Sequence, residues 1–279
     1  MWSCLLLADA GSESITFSGV SVVAADGPMA LSDGLDRLGP GPVLVVAPRS
    51  LAEPLRLGLT VAAGRRPDLA LTGTVSDHAP LAILSALALA LTTTDEPAVG
   101  VELAHRLLAQ AWSGAWSGSV AKLENPSPRL AQHLRSMLPG AGFLIRQAPL
   151  PQVLGPPRPD DVPSVGRDRV LLVEDGAVPP EFVRRLSETE SVSAVRPVAL
   201  PGRWTSVYGS DRTGQLALMP AAPQTLIGSI TQHCPTCGLN QVAAVCPFCR
   251  NVNVNRPTVG VARRSVRGPV FPPLAGGIA

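Results

Sequence analysis

Residues 234–249 read CPTCGLNQVAAVCPFC, two Cys-x-x-Cys pairs separated by eight residues in a chain that holds five cysteines. Thiols at this spacing converge on a cation or cycle between dithiol and disulfide. The redox alternative wants a cysteine at a helix N-terminus, where the local field lowers its pKa. No helical pattern follows either pair. Nothing at the N-terminus (MWSCLLLADAGSES) reads as a signal peptide, since a basic n-region is missing and Asp9 breaks the apolar run. A cytoplasmic location is therefore expected, where closely spaced cysteines favour metal chemistry over structural disulfides.

Residues 230–252 resemble the zinc ribbons built from two rubredoxin-like knuckles. The match rests on Cys234-Pro235-Thr236-Cys237-Gly238 and Cys246-Pro247-Phe248-Cys249. Each knuckle is a tight turn in which two thiolates and backbone N–H groups face one cation. Proline after the first cysteine fixes φ, and glycine after the second accepts a left-handed conformation. The resemblance implies that Cys234, Cys237, Cys246 and Cys249 hold one Zn2+. Four thiolates leave no open position for water, so the role is structural. Rubredoxin-type iron and a redox dithiol pair are the alternatives. The second knuckle departs from the pattern, with Arg250 where the first has Gly238. The short spacer leaves room only for a tight hairpin.

Other chemistry-bearing residues are sparse. Lys122 is the only lysine and sits in SVAKLE, so a P-loop is excluded and pyridoxal-phosphate chemistry lacks support. The kinase motifs, the G-x-G-x-x-G fingerprint and the G-x-S-x-G elbow are all missing. His78, His105 and His133 have no partner at ligand spacing, His233 reads as a surface residue beside a knuckle, and Cys4 reads as a buried strand residue. LLVEDG (171–176) resembles the first strand and acidic pair of a response-regulator receiver, but no lysine follows residue 122. The acidic turns at Glu124 and Glu174-Asp175 fall where α/β sheets bind ligands, at the carboxyl ends of strands.

The elements that must carry these residues follow an α/β pattern. Hydrophobic residues make up 46% of the 279 and charged residues 16%, enough to fold most of the chain. Segments 2–8, 15–25, 42–48 and 55–63 predict strands, and 28–38 a short helix. The apolar run 79–91 is too short to span a bilayer and predicts a buried helix, with a second helix from Pro97. The repeated WSGA–WSGS (112–119) predicts a glycine-rich turn. Residues 120–151 align without gaps on 170–201, with identities at Val120/Val170, Glu124/Glu174, Arg135/Arg185 and three further pairs. Each copy reads strand, acidic turn, helix, strand, hence two β-α-β units and a candidate internal repeat. Segment 204–220 predicts a hairpin turning at 209–211.

The expected organisation is an α/β domain over 1–151, a proline-rich linker over 152–168, and a β-α-β unit with hairpin over 169–222. A zinc ribbon over 223–255 and a flexible basic tail over 256–279 complete it. The last 68 residues hold six arginines and no acid, whereas the first 211 hold 17 basic and 21 acidic residues. The arginine-rich, proline-rich composition points to a bacterial source.

These features favour a non-enzymatic adaptor or assembly protein that works through its ribbon and tail on a protein partner, with no membrane partner. A nucleic-acid-binding protein using Arg250, Arg256, Arg263, Arg264 and Arg267 is the first alternative. An enzyme of unrecognised class with a structural zinc module is the second.

Overall fold

Runs of Val, Leu and Ala set between turn residues become strands through the first third of the chain, as their valine content and near-continuous apolar character predict. The computed structural model describes residues 2–9, 15–27, 29–138, 140–158, 161–162, 168–189, 192–200, 208, 213–227 and 232–252. Strands β1 (Ser3–Ala8), β2 (Ile15–Phe17) and β3 (Val20–Ala24) are followed by helix α1 (Ala30–Leu35) and β4 (Pro42–Pro48). Helix α2 (Ala52–Arg65), β5 (Ala70–Ser76), α3 (Pro80–Thr93) and α4 (Pro97–Gln110) come next. They are succeeded by β6 (Trp112–Ser117), α5 (Leu130–Arg135), β7 (Phe143–Ala148), β8 (Gln152–Leu154), β9 (Arg169–Glu174), α6 (Pro180–Thr189), β10 (Val192–Val198) and β11 (Thr213–Pro220). Two short strands, β12 (Gln232–His233) and β13 (Asn240–Gln241), close the series.

The chain divides into two units. The described part of the first falls within 2–76, 85–107 and 222–252, and that of the second within 77–84 and 108–221. In the first unit a five-stranded sheet runs β2-β3-β1-β4-β5, parallel except for β2. Leu5, Leu7, Val43, Val45, Leu31 and Leu55 form the heart of its core. In the second unit a six-stranded sheet runs β10-β9-β11-β6-β7-β8. Only β9 and β10 are parallel there, joined through α6 as a β-α-β unit. Phe182 and Leu186 of α6 pack on Trp112, Leu171 and Leu216, each burial stabilising by about 1.5–3 kcal/mol.

The α/β class holds, while several elements differ from expectation. Segment 55–63 lies in helix α2 rather than a strand. Pro54 suits a first helical turn, and the buried Leu55, Gly58 and Ala62 recur at helical spacing. Segment 15–25 is a hairpin, not one strand, because Ser18 and Gly19 adopt φ of 45° and 86°. WSGA–WSGS is the inner strand β6 rather than a turn. A spacing of four places Trp112 and Trp116 on one strand face, and Gly114 lets the backbone pass Ile145, whose carbonyl oxygen would lie 2.6 Å from an added Cβ. Residues 120–124 form turns, so 120–151 contributes α5 and β7 while 170–201 contributes the β-α-β unit. In the expected hairpin 204–220, the first arm and the turn lie outside the described residues except Tyr208, and the second arm, β11, pairs with β6 and β9. Among the described residues no helix is long and apolar enough to cross a membrane.

Helix α3 is the buried helix that the run 79–91 predicts, and its start is satisfied from afar. Ser113 Oγ on β6 accepts the Ala79 N–H at 3.0 Å, and Gln215 Oε1 on β11 accepts the Leu81 N–H at 2.9 Å. His78 Nδ1 lies 3.1 Å from the same Ser113 hydroxyl. Burial pushes the His78 imidazole down from 6.5 to about 4, against the opposing pull of Asp77. The unfolded chain therefore takes up this proton near pH 6.5 and the folded chain only near 4. Stability supplied by neutral His78 is full above the higher value and falls as pH drops through the window, by at most about 1.4 kcal/mol per pH unit. Glu174, whose carboxyl burial raises, contributes with the opposite sign. The difference between wild type and His78→Asn isolates the histidine: urea titrations at stepped pH should show a shallower loss between pH 6.5 and 4 in the variant.

Candidate functional site

Two places gather chemistry-bearing side chains. The first is the pair of cysteine knuckles, both in the first unit. In each, the first cysteine's carbonyl accepts the N–H four residues on: Gly238 to Cys234 at 2.9 Å and Arg250 to Cys246 at 3.0 Å. In each, the first cysteine's N–H reaches the carbonyl five residues on, at Leu239 and at Asn251. Gly238 has φ 70° and Arg250 φ 61°, so the arginine adopts the left-handed turn that glycine takes more readily. Asn251 Nδ2 donates to Thr236 Oγ1 at 2.7 Å and ties one knuckle to the other.

The four sulfurs meet. Cys234 and Cys249 are 3.3 Å apart, Cys237 and Cys246 3.5 Å, and all four lie within 4.8 Å of one another. A tetrahedral thiolate site with bonds of about 2.3 Å requires edges of about 3.8 Å. The cysteines therefore stand at metal-binding distance. N–H groups of Cys237 and Thr236 hold the Cys234 thiol down at about 6, which favours the thiolate a metal needs. The segment is moored to α4, where Arg106 donates to Leu226 O at 2.9 Å while Glu102 holds its Nε at 2.7 Å. His233 is exposed on β12. Cys4 is fully buried in β1, and burial pushes its thiol far up.

The second place lies in the second unit, at the carboxyl end of β9. An open cavity of about 640 Å³ is bounded by Trp116, Gly118, Thr213 and the turn Asp175–Pro180. Trp116 stacks at a tilt on Phe182, ring centroids 4.8 Å apart. The acidic turn picked out in the sequence thus borders a cavity through Asp175, whereas Glu124 is simply exposed. Next to Asp175, Glu174 Oε2 accepts the Gln215 N–H at 2.9 Å, and burial raises its carboxyl pKa. Gln215 and Tyr208 are each 1% exposed, and among the described residues Gln215 Nε2 and the Tyr208 hydroxyl have no hydrogen-bond partner. Burial and the neighbouring Glu174 charge push the Tyr208 phenol far up, so it stays a neutral donor.

Sequence reasoning missed Ser113, Gln215 and Tyr208. Their sole local signal is that each is a polar residue in or beside an apolar stretch. His78 carried no partner at ligand spacing because its partner lies 35 residues away. His105 is exposed on α4, and its pKa is lowered, first by desolvation. Of the arginines assigned to a nucleic-acid contact, Arg250 is exposed; Arg256, Arg263, Arg264 and Arg267 lie outside the described residues.

No protein-family model matches the chain, and no curated protein matches it. Solved structures do share its fold. A DegV family protein from Eubacterium eligens loaded with heptadecanoic acid aligns with TM-score 0.59 and 12% identity, over 78% of this chain and 100% of that one. The Streptococcus pneumoniae fatty acid kinase (Fak) B3 protein loaded with linoleic acid aligns with TM-score 0.52 and 10% identity, over 78% and 99%. The dihydroxyacetone kinase of C. freundii aligns with TM-score 0.54 and 11% identity, over 97% of this chain and 55% of that one. These likenesses overturn the expectation of an adaptor working through ribbon and tail and do not favour its nucleic-acid and enzyme alternatives. The fold of this chain is DegV-like and corresponds to 100% and 99% of the length of the DegV family and Fak B3 chains.

Proposed function

We propose that this chain binds a long-chain fatty acid in its α/β body. The observation that carries the reading is the correspondence of its fold with the whole length of two chains loaded with heptadecanoic and linoleic acid. The cavity supports it. At about 640 Å³ it falls within the range of about 300–1,000 Å³ usual for small-ligand sites. Trp116, Val178, Pro179 and Pro180 offer apolar surface to an acyl chain. Tyr208 Oη–H and Gln215 Nε2–H, buried donors without a partner among the described residues, lie outside the cavity lining and would meet the oxygens of a carboxylic acid only where the ligand reaches past Thr213. Thr213, a wall of the cavity, precedes Gln215 by two residues on β11 and shares its strand face. Burial shifts Glu174 towards its neutral form, which lessens the repulsion a ligand carboxylate would meet.

The test is direct. Purified protein is stripped of lipid and titrated with palmitic or oleic acid by calorimetry, and lipids extracted before stripping are identified by mass spectrometry. One fatty acid per chain is expected. Tyr208→Phe removes one hydroxyl and keeps the ring, so affinity should fall about fivefold, the loss of a hydrogen bond of about 1 kcal/mol. Stripped, folded protein that takes up no C16 or C18 fatty acid would sink the reading.

The knuckles have a separate role in the same proposal. Cys234, Cys237, Cys246 and Cys249 hold one Zn2+ that folds a segment with two-residue strands and little core of its own. Four thiolates would supply a closed, structural site. Metal analysis of reduced protein should find about one zinc per chain, and Cys246→Ser, which removes a buried ligand, should bring it below about half. Wild-type protein without zinc refutes this assignment and leaves the fatty-acid reading standing.

A further inference from the structure

Two apolar side chains stand between the cavity at the end of β9 and the core of the second unit. Trp116 on β6 and Val178 in the turn after β9 line the cavity, and both pack on the cluster that holds Leu144, Phe182 and Leu216. One face of each thus meets open space and the other a close-packed interior.

Both are drawn against their backing where a strand region lacks a side chain. A Cβ on Gly142, just before β7, would lie 2.6 Å from Trp116 Cζ2 and 3.0 Å from its Cη2. A Cβ on Gly214 of β11 would lie 2.6 Å from Val178 Cγ2 and equally close to the Ala177 carbonyl oxygen. Non-bonded carbons rest about 3.5–4.0 Å apart, so both contacts exist because these residues are glycine. Neither has a positive φ, so close approach rather than backbone conformation is what each supplies.

The Trp116 ring is the more tightly held of the two. On one side it stacks at a tilt on Phe182, which is 5% exposed. On another it meets the Gly142 backbone. Its own backbone is fixed between Gly214 on β11 and Leu144 on β7. A ring held in this way cannot swing aside for a longer ligand, so an acyl chain ends where the indole stands.

We propose that Trp116 determines the length of acyl chain that the cavity accepts, as a fixed wall positioned by Phe182 and Gly142. This rests on the fatty-acid reading and names the residue that makes the site selective. The full chain, stripped of lipid, is titrated by calorimetry with saturated fatty acids from C10 to C18, and the ratio of C18 to C12 affinity is read. Trp116→Leu removes ring atoms from the wall, so the ratio should rise at least about fourfold, the value of one further buried methylene. Gly142→Ala acts in the opposite sense. Its methyl pushes the ring off β7, and with Phe182 packed behind, the open direction is the cavity; the ratio should fall by about the same factor. A purely structural role would weaken every chain length alike and leave the ratio in place. Trp116→Phe keeps a ring on Phe182 and serves if the leucine variant fails to melt cooperatively; its ratio should rise too, by less. Unchanged ratios in folded variants, or shifts of both variants in one direction, overturn the proposal and leave fatty-acid binding standing. Wild type that takes up no acid of any length overturns both.

Discussion

A buried helix start must find acceptors for its leading N–H groups, and α3 takes two of them from distant strands. Its first residues, Pro80, Leu81, Ala82 and Ile83, offer only apolar side chains. An unsatisfied buried N–H costs about 1–3 kcal/mol. The Ala79 and Leu81 groups are satisfied by Ser113 and Gln215, which lie 34 and 134 residues further along the chain. The second unit's sheet must therefore hold β6 and β11 side by side, in the register that pairs Ala115 with Gln215, before α3 can begin. The same register aligns Thr213 with Ser117 at the cavity end and leaves Gln215 Nε2 free as a donor. One constraint on a helix terminus thus positions the polar groups of the proposed ligand site.

The cysteine knuckles solve a different problem. Two strands of two residues cannot bury enough apolar surface to fold by themselves. Short-range backbone bonds, repeated at the same offsets in both knuckles, bring four sulfurs together within a span of sixteen residues. Arg250 shows how far the backbone geometry dominates side-chain preference. It takes φ 61°, close to Gly238 at 70°, because the turn that aims two sulfurs one way demands it.

Helix α5 illustrates a third point, that amphipathicity has no built-in direction. The repeat of Leu130, Leu134, Met137 and Leu138 marks an apolar stripe wherever the helix lies. Which side faces the protein is decided by Gln132 and Ser136, whose partners at Val153 and Val120 arrive only with the folded sheet. The exposed stripe is a product of that orientation.

By itself the sequence determined what is local. The four cysteines, their turns, the parallel apolar strands β1 and β4, and the buried helix α3 were legible because each depends on residues within one or two turns of itself, whereas β5 went unread. The acidic turn at Glu174-Asp175 was legible as a strand end, and the cavity lies beside it. Only the tertiary structure decided the rest. A spacing of four between Trp112 and Trp116 fits a strand and a helix equally, and pairing with β7 and β11 makes it a strand. Leu55–Ala63 is apolar enough for either period until its packing on β5 and α1 sets it as a helix. Ser113, Gln215 and Tyr208 have no short-range pattern, since their partners are far away in sequence. Emphasis moved from ribbon to body for the same reason: a cysteine motif is written in contiguous residues, whereas a ligand site on a sheet is written in register and long-range hydrogen bonds, which the chain acquires only when its strands have paired.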